Sequence, residues 1–274
     1  MSERIDLHVH TTASDGTLTP AEAVSHACEL GLRAIAVTDH DTVDGLAEAE
    51  AAAGAHGLEL IRGVELSVDW HGYGVHILGY FVDPASPELQ DLLDWVVVER
   101  LVRNEVIAAA MRADGIPVDI EEMEARWPGA VLGRPHFAKM LVEHGLCEDV
   151  NDGFRRYLSI GQRYFRPRRY IPMKMAFGAL QACRAKPVFA HPFQYRLPEE
   201  GLLSLTQDLC NAGIVGMECL YAVYDAEQSA YLQRLAAHFG LCVTGGSDFH
   251  GASKPNRMGT PEVPYALLER LREK

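Results

Sequence analysis

The sequence predicts an α/β fold in which parallel strands and helices close into a (β/α) barrel. Three observations carry this reading. Strand-like runs alternate with helical ones about seven times, which favours a barrel over an open sheet. Runs such as AIAV (34–37) and PVFA (187–190) are nearly continuous in apolar residues, as parallel strands covered on both faces are. The strand-like runs also end repeatedly in histidine or a carboxylate, at the ends where a barrel gathers its functional side chains.

The elements follow in order. In IDLHVH (5–10), Ile5, Leu7 and Val9 alternate with Asp6, His8 and His10, the period of a strand, so both histidines leave it on one side. A helix starts at a capping box: Thr19 as N-cap, Pro20 in the first turn and Glu22 three after the cap, with Gly31 as its stop. RAIAVTDH is the next strand and ends in His40; a helix from about Val43 to Ala53 follows. LELIRGVEL and YGVHILGYF are two more strand-like runs, carrying Glu65 and His76. Between residues 84 and 172 the alternation stops. A long helical segment (88–115), GRPHFAKMLVEHG and the basic stretch RYFRPRRY read as a helical insertion over one end of the barrel, which itself comprises 1–83 and 173–274. The rhythm resumes with KPVFAHP and His191, GIVGMECLYA and Glu218, and LCVTGGSDFH with Asp248 and His250. Helical patterns near Met173–Ala185, Gly201–Ala212 and Ala226–Phe239 separate them.

The bulk numbers narrow the function. A formal net charge of −13 over 274 residues argues against a broad nucleic-acid-binding surface and a stable nucleic-acid complex. An anionic substrate stays open, because bound divalent cations invert the local field. The six cysteines have no CxxC pair and read as reduced thiols. No apolar run reaches bilayer length and no charged-then-apolar leader opens the chain, so a soluble, cytoplasmic protein without a membrane partner is expected.

Nine nitrogen and oxygen donors lie at strand ends or just past them: His8, His10, Asp15, His40, Glu65, His76, His191, Asp248 and His250. A catalytic zinc needs three protein ligands and a water, so nine suit two or three ions. Without thiolate, Zn²⁺, Mn²⁺ and Fe²⁺ all remain open. Glu218 reads either as a carboxylate orienting a ligand histidine or as a buried partner of an arginine.

HVH followed by SDG, then TDHD, GVE, AHP and GSDFH together resemble the PHP (polymerase and histidinol phosphatase) family of metal-dependent phosphoesterases. The resemblance implies a distorted, seven-stranded, TIM-like barrel with a trinuclear centre. One ion would sit on His8, His10, Glu65 and Asp248, a second on Glu65, His76 and His191, and a third on Asp15, His40 and His250. Many relatives carry histidine where this chain has Asp15, which tilts the third position toward Mn²⁺. The implied chemistry is in-line attack on phosphorus by a metal-bound hydroxide held by Glu65, His8, His10, His76, His191 and Asp248.

GRPH resembles the TrpH-like subfamily, which hydrolyses nucleotide 3′,5′-bisphosphates and short RNA 5′ ends. Arg134 opens a helix there, so its guanidinium and the helix N-terminus suit one phosphate. His136, Arg103 and Asn104 are further substrate candidates, for which a solvated helix face is the narrowly preferred reading; Lys254 and Arg257, just past GSDFH, are others. The expected function is removal of a nucleotide phosphomonoester, foremost the 3′-phosphate of a nucleotide 3′,5′-bisphosphate. Histidinol-phosphate phosphatase, a metal-dependent amidohydrolase or deaminase, and a non-enzymatic metal-binding module are the alternatives.

Overall fold

The computed structural model describes residues 3–128 and 132–274. Nine strands occur among them: β1 (Arg4–Val9), β2 (Ala34–Val37), β3 (Glu59–Trp70), β4 (Tyr73–Tyr80), β5 (Ile171–Pro172), β6 (Lys186–Phe189), β7 (Gly216–Tyr221), β8 (Cys242–Gly246) and β9 (Val263–Pro264). They pair in the order β8-β7-β6-β4-β3-β2-β1-β9, with β5 attached to β3. The ring closes where His10 N donates to Phe249 O (2.9 Å) and Phe249 N donates to His8 O (3.2 Å). Seven strands therefore form the barrel wall. Gly246 is required at this closure: a Cβ there would stand 2.6 Å from the backbone nitrogen of His8.

One sequence expectation is corrected. The wall is not wholly parallel: β4 runs antiparallel to both β3 and β6. No helix separates β3 from β4. They join through His71 and Gly72, both at positive φ, a turn too short for a crossover and suited to a twisted hairpin. The helix expected at Val43–Ala53 lies at Leu46–His56 and stops at Gly57 in the left-handed conformation. The helix expected to reach Ala185 stops at Ala182, and that expected to reach Phe239 stops at His238. The capping box forms as expected: Thr19 Oγ1 accepts from Glu22 N, and Thr19 N donates to Glu22 Oε2.

The chain divides into two compact units, residues 1–92 with 170–274, and residues 93–169. In the barrel unit, Ile5, Leu7, Ala36, Ile61, Leu78, Tyr80 and Val188 pack into one cluster with Leu268 and Leu271 of the helix Tyr265–Arg272. Burying each large aliphatic side chain contributes about 1.5–3 kcal/mol, enough for this layer to hold polar groups in fixed places above it. The helical unit has its own core of Ile107, Met111, Met123, Phe137, Met140, Leu141 and Leu158. Its elements are most of the helix Pro87–Ala113, then Ile120–Arg126, Arg134–Glu143 and the short Val150–Gly153, continued by a π-helical turn at Phe154–Leu158. No helix among the described residues is long and apolar enough to cross a membrane.

Candidate metal centre

All nine candidate donors belong to the barrel unit, and Glu65 in β3 is their hub. Its Oε1 lies 2.9 Å from His76 Nδ1 and 2.9 Å from His191 Nε2. Its Oε2 lies 2.9 Å from His40 Nδ1, 3.2 Å from His10 Nε2 and 3.4 Å from His8 Nε2. Asp248 Oδ1 approaches His10 Nε2 (3.3 Å), His250 Nδ1 (3.4 Å) and His8 Nε2 (3.6 Å). Asp15 Oδ1 stands 3.1 Å from His250 Nε2 and 3.9 Å from His10 Nδ1. Three groups of donor atoms are close enough to share an ion: His8, His10, Glu65 and Asp248; His10, Asp15, His40 and His250; and His40, Glu65 and His76. His191 joins the last group through its contacts with Glu65 and with His76 Nδ1 (3.3 Å).

A second layer of carboxylates fixes these positions. Glu218 Oε1 accepts from His8 Nδ1 (3.0 Å) and its Oε2 from His191 N (2.9 Å), so it orients His8, one of the candidate donors, and is not an arginine partner. Asp39 accepts from Thr11 N, Thr11 Oγ1 and Ser14 Oγ, pinning the loop that delivers Asp15. Asp41 accepts from Ser67 N and Oγ, tying the His40 segment to β3. Asp6 accepts from His8 N, Ser247 N, Ser247 Oγ and Gly259 N, tying β1 to the Asp248 segment. Sequence reasoning passed over these three aspartates; their signal was the TDHD motif itself, with an aspartate on either side of His40, and the inward register of Asp6 with His8. Asp41, His191 and Asp248 all hold positive φ, a conformation that side chains adopt at a cost of about 1–3 kcal/mol and that needs such ties to persist.

The electrostatics show what the arrangement lacks. Burial alone would push the Glu65 carboxyl up, but His40, His76 and His8 overcome it and hold the pKa well below the carboxylate range. Burial is likewise overcome at Asp248 and Asp15, which stay ionised. Burial lowers His76 to about 4, so its imidazole is neutral with a free lone pair at pH 7, and burial lowers His250 as well. At His8 burial is outweighed by Glu218 and Glu65, which raise its pKa well above the usual value. Yet His8 Nε2, both His10 nitrogens, His40 Nδ1, Glu65 Oε2, His191 Nδ1 and His250 Nε2 are buried without a hydrogen-bond partner. Leaving so many polar atoms unmatched costs about 1–3 kcal/mol each. Converging lone pairs of nitrogen and oxygen are what divalent cations satisfy, so the residues present fit such ions.

The substrate candidates divide between the units. In the helical unit, Arg134 opens the helix Arg134–Glu143, donates to Leu158 O (3.3 Å) and stacks over Phe165. His136 Nδ1 accepts from Gly133 N (3.0 Å) and its ring meets Trp127 edge-on. Arg103 donates to Asn104 Oδ1, and Asn104 Nδ2 donates to Leu132 O. Arg103 and Asn104 are thus buried, not a solvated face. Arg100 and Arg103 both reach Gly133, within 3.9 Å of where a Cβ would stand, so Arg100 is an addition the sequence did not single out. In the barrel unit, Lys254 Nζ donates to Asp248 Oδ2 (2.9 Å), while Arg257 is exposed on the wall of a cavity of about 470 Å³ shared with Arg4 and His26.

A barrel that brings these donors together, most of them near strand ends but Glu65 and His76 mid-strand, defines a metal-dependent hydrolase. A PHP domain profile matches residues 6–116. The chain is 36% identical over 250 residues to a 5′-3′ exoribonuclease of Haemophilus influenzae, covering 91% of each chain. It is 34% identical over 255 residues to a 3′,5′-nucleoside bisphosphate phosphatase of Chromobacterium violaceum, covering 92% of this chain and 89% of that one. A crystal structure from Bifidobacterium adolescentis, classed as a metal-dependent phosphoesterase, superposes with a TM-score of 0.85 at 30% identity over 97% of this chain and 94% of that one. The chain belongs to the PHP family of metal-dependent phosphoesterases.

Proposed function

We propose that the protein is a phosphomonoesterase that removes the 3′-phosphate of nucleoside 3′,5′-bisphosphates. Hydrolysis at short RNA 5′ ends fits the same centre, a second activity favoured by the likeness to the Haemophilus influenzae exoribonuclease. The observation that carries the reading is the convergence of eight other donors around the buried Glu65, with both its oxygens facing histidine nitrogens. Two to three divalent ions are assigned to it, Mn²⁺ favoured over Zn²⁺ or Fe²⁺ by the oxygen donors. His8, His10, Glu65 and Asp248 hold one; Glu65, His76 and His191 a second; Asp15, His40 and His250 a third. When bound, these ions supply Lewis acidity at the phosphoryl oxygens and an activated water near neutral pH.

The chain's own residues do the rest. Glu65 fixes the spacing of the ligand sets because it belongs to two of them. Glu218 accepts from His8 Nδ1, so Nε2 is the nitrogen turned toward the cluster and the one whose proton a bound metal ion would replace. The helical segment 84–172 is the recognition element: Arg134, the N-terminus of its helix and Arg103 bind the phosphate that is not cleaved, with Asn104 and His136 holding them in place. The test is phosphate release by Mn²⁺-loaded protein from adenosine 3′,5′-bisphosphate, AMP and histidinol phosphate. Preference for the bisphosphate is expected. Turnover of histidinol phosphate alone would overturn the recognition role, and turnover of none would return the amidohydrolase and binding-module readings.

A further inference from the structure

Lys254 was a candidate for touching the substrate phosphate, but its ammonium is already engaged. It donates to Asp248 Oδ2 at 2.9 Å, and Tyr221 Oη donates to the same oxygen at 2.7 Å. The other oxygen, Oδ1, is the one that faces His8, His10 and His250. The two oxygens of one carboxylate are thus sorted, one toward the donor cluster and one into a clamp of two donors. Asp248 needs such a clamp, because its backbone sits at φ +53. Asn256 Nδ2 adds a bond to Ser247 O (2.7 Å), holding the backbone just before it.

The loop that delivers Lys254 is itself fixed. Ser247 at its start and Gly259 at its end both donate to the buried Asp6, so one carboxylate ties its two feet together. Ala252 N, at its tip, donates to Thr17 Oγ1 (2.9 Å) across to the loop that follows β1. Lys254 therefore reaches Asp248 from a braced support.

We propose that Lys254 and Tyr221 are positioning residues that hold Asp248 with Oδ1 turned to the metal, and that Lys254 acts through Asp248 and not on the substrate phosphate. This rests on the reading of His8, His10, Glu65 and Asp248 as a metal site. An ammonium and a phenol on the outer oxygen fix the carboxylate's rotation and hold it in monodentate pose. Outer-shell groups of this kind are worth about 10–100-fold in metal affinity.

The experiment is titration of the chelator-stripped protein with Mn²⁺, followed by calorimetry and by the free-Mn²⁺ resonance, on wild type, Lys254→Met, Lys254→Arg and Tyr221→Phe. Lys254→Met and Tyr221→Phe should each weaken Mn²⁺ binding at one site by about 10–100-fold. Lys254→Arg should restore most of it, since a guanidinium can donate to the same oxygen. With Mn²⁺ saturating, KM for adenosine 3′,5′-bisphosphate should stay at the wild-type value in Lys254→Met. Unchanged Mn²⁺ affinity with a raised KM would overturn the proposal and return Lys254 to the substrate. Unchanged affinity and unchanged KM would overturn it too. Tyr221→Phe, which removes one oxygen, guards against misfolding; its circular dichroism and melting in chelator should match wild type. Failure of the wild type to bind any divalent ion would instead sink the underlying reading of the centre.

Discussion

Two buried carboxylates, one in each unit, are neutralised in opposite ways. Asp152 in the helical unit meets guanidinium groups of its own chain: Arg155 on Oδ1, and Arg156 Nη1 on Oδ2 at 3.1 Å. Glu65 in the barrel meets five histidines, and several of the buried nitrogens in this cluster, with Glu65 Oε2 itself, have no hydrogen-bond partner. The first is a finished structural contact. The second is a charge balance completed only from outside the chain. A buried anion is tolerated only when paired, so what pairs it tells a scaffold from a metal site.

The largest test removes the hub. Glu65→Ala takes a ligand from two sets at once, so it should abolish detectable turnover and at least one equivalent of bound metal, measured by elemental analysis. Its loss should exceed the about 10–100-fold cost of an outer-shell change. Wild-type metal content in that variant would end the comparison. The helical unit should keep its helicity, read by amide exchange over residues 93–169.

Chelation sharpens the same contrast. Metal present at a hundred times its dissociation constant stabilises by about 2.7 kcal/mol. At about 2–4 °C per kcal/mol for domains of this size, EDTA should lower the melting temperature of the barrel by roughly 5–10 °C. Faster exchange should appear at residues 6–12, 38–41 and 247–250, and the helical unit should be unmoved. Equal loosening of both units would show that the orphan lone pairs are not what the ions stabilise. Glu218→Gln comes next: its Oε1 partner on His8 is lost or inverted, so Mn²⁺ affinity should fall by about 10–100-fold in a titration.

Much of this centre was legible in the chain. Alternation in IDLHVH puts two histidines on one side, and His40 and Asp248, just past the ends of β2 and β8, need only the barrel to bring them to Glu65. Glu65 itself lies mid-strand in β3 and not at a strand end as the sequence suggested. What was not legible depends on partners remote in sequence. Ser247 and Asp6 are 241 residues apart and Thr11 and Asp39 are 28 apart, so the supporting aspartates look like ordinary solvated charges until the wall closes. The direction of β4 was lost for a local reason. A two-residue turn at His71–Gly72 reverses the chain without the composition of a long loop, and the apolar runs on either side read the same in both directions. Lys254 was legible as a cation near the mouth, but not that Asp248 occupies it.

Recognition by the helical unit predicts a smaller, separable effect. Arg134→Ala removes one charged donor, which is worth about 1.5–3 kcal/mol, so KM for the bisphosphate should rise about ten- to hundredfold with metal content unchanged. An unchanged KM would remove Arg134 from substrate binding.

The smallest effect is the converse control at Asp152. The Arg155 hydrogen bond is the main cause of its depressed pKa; burial opposes it, and Arg156 and Glu148 N add to the lowering. The folded-state pKa therefore lies below the unfolded value of about 3.9. For a carboxylate shifted down, the stability it contributes is complete above the unfolded pKa and is lost as pH falls through the folded one. Asp152 should thus stabilise the helical unit at neutral pH and cease to do so only below about pH 4. Asp152→Asn should lower the melting temperature at pH 7, and this difference from wild type should begin to narrow as the pH falls below about 4. Metal content and turnover with chelated or loaded protein should follow wild type throughout, because this carboxylate takes its positive charge from Arg155 and Arg156. A variant whose metal content changed would break the distinction, since a carboxylate already satisfied by arginine has nothing left to offer a cation.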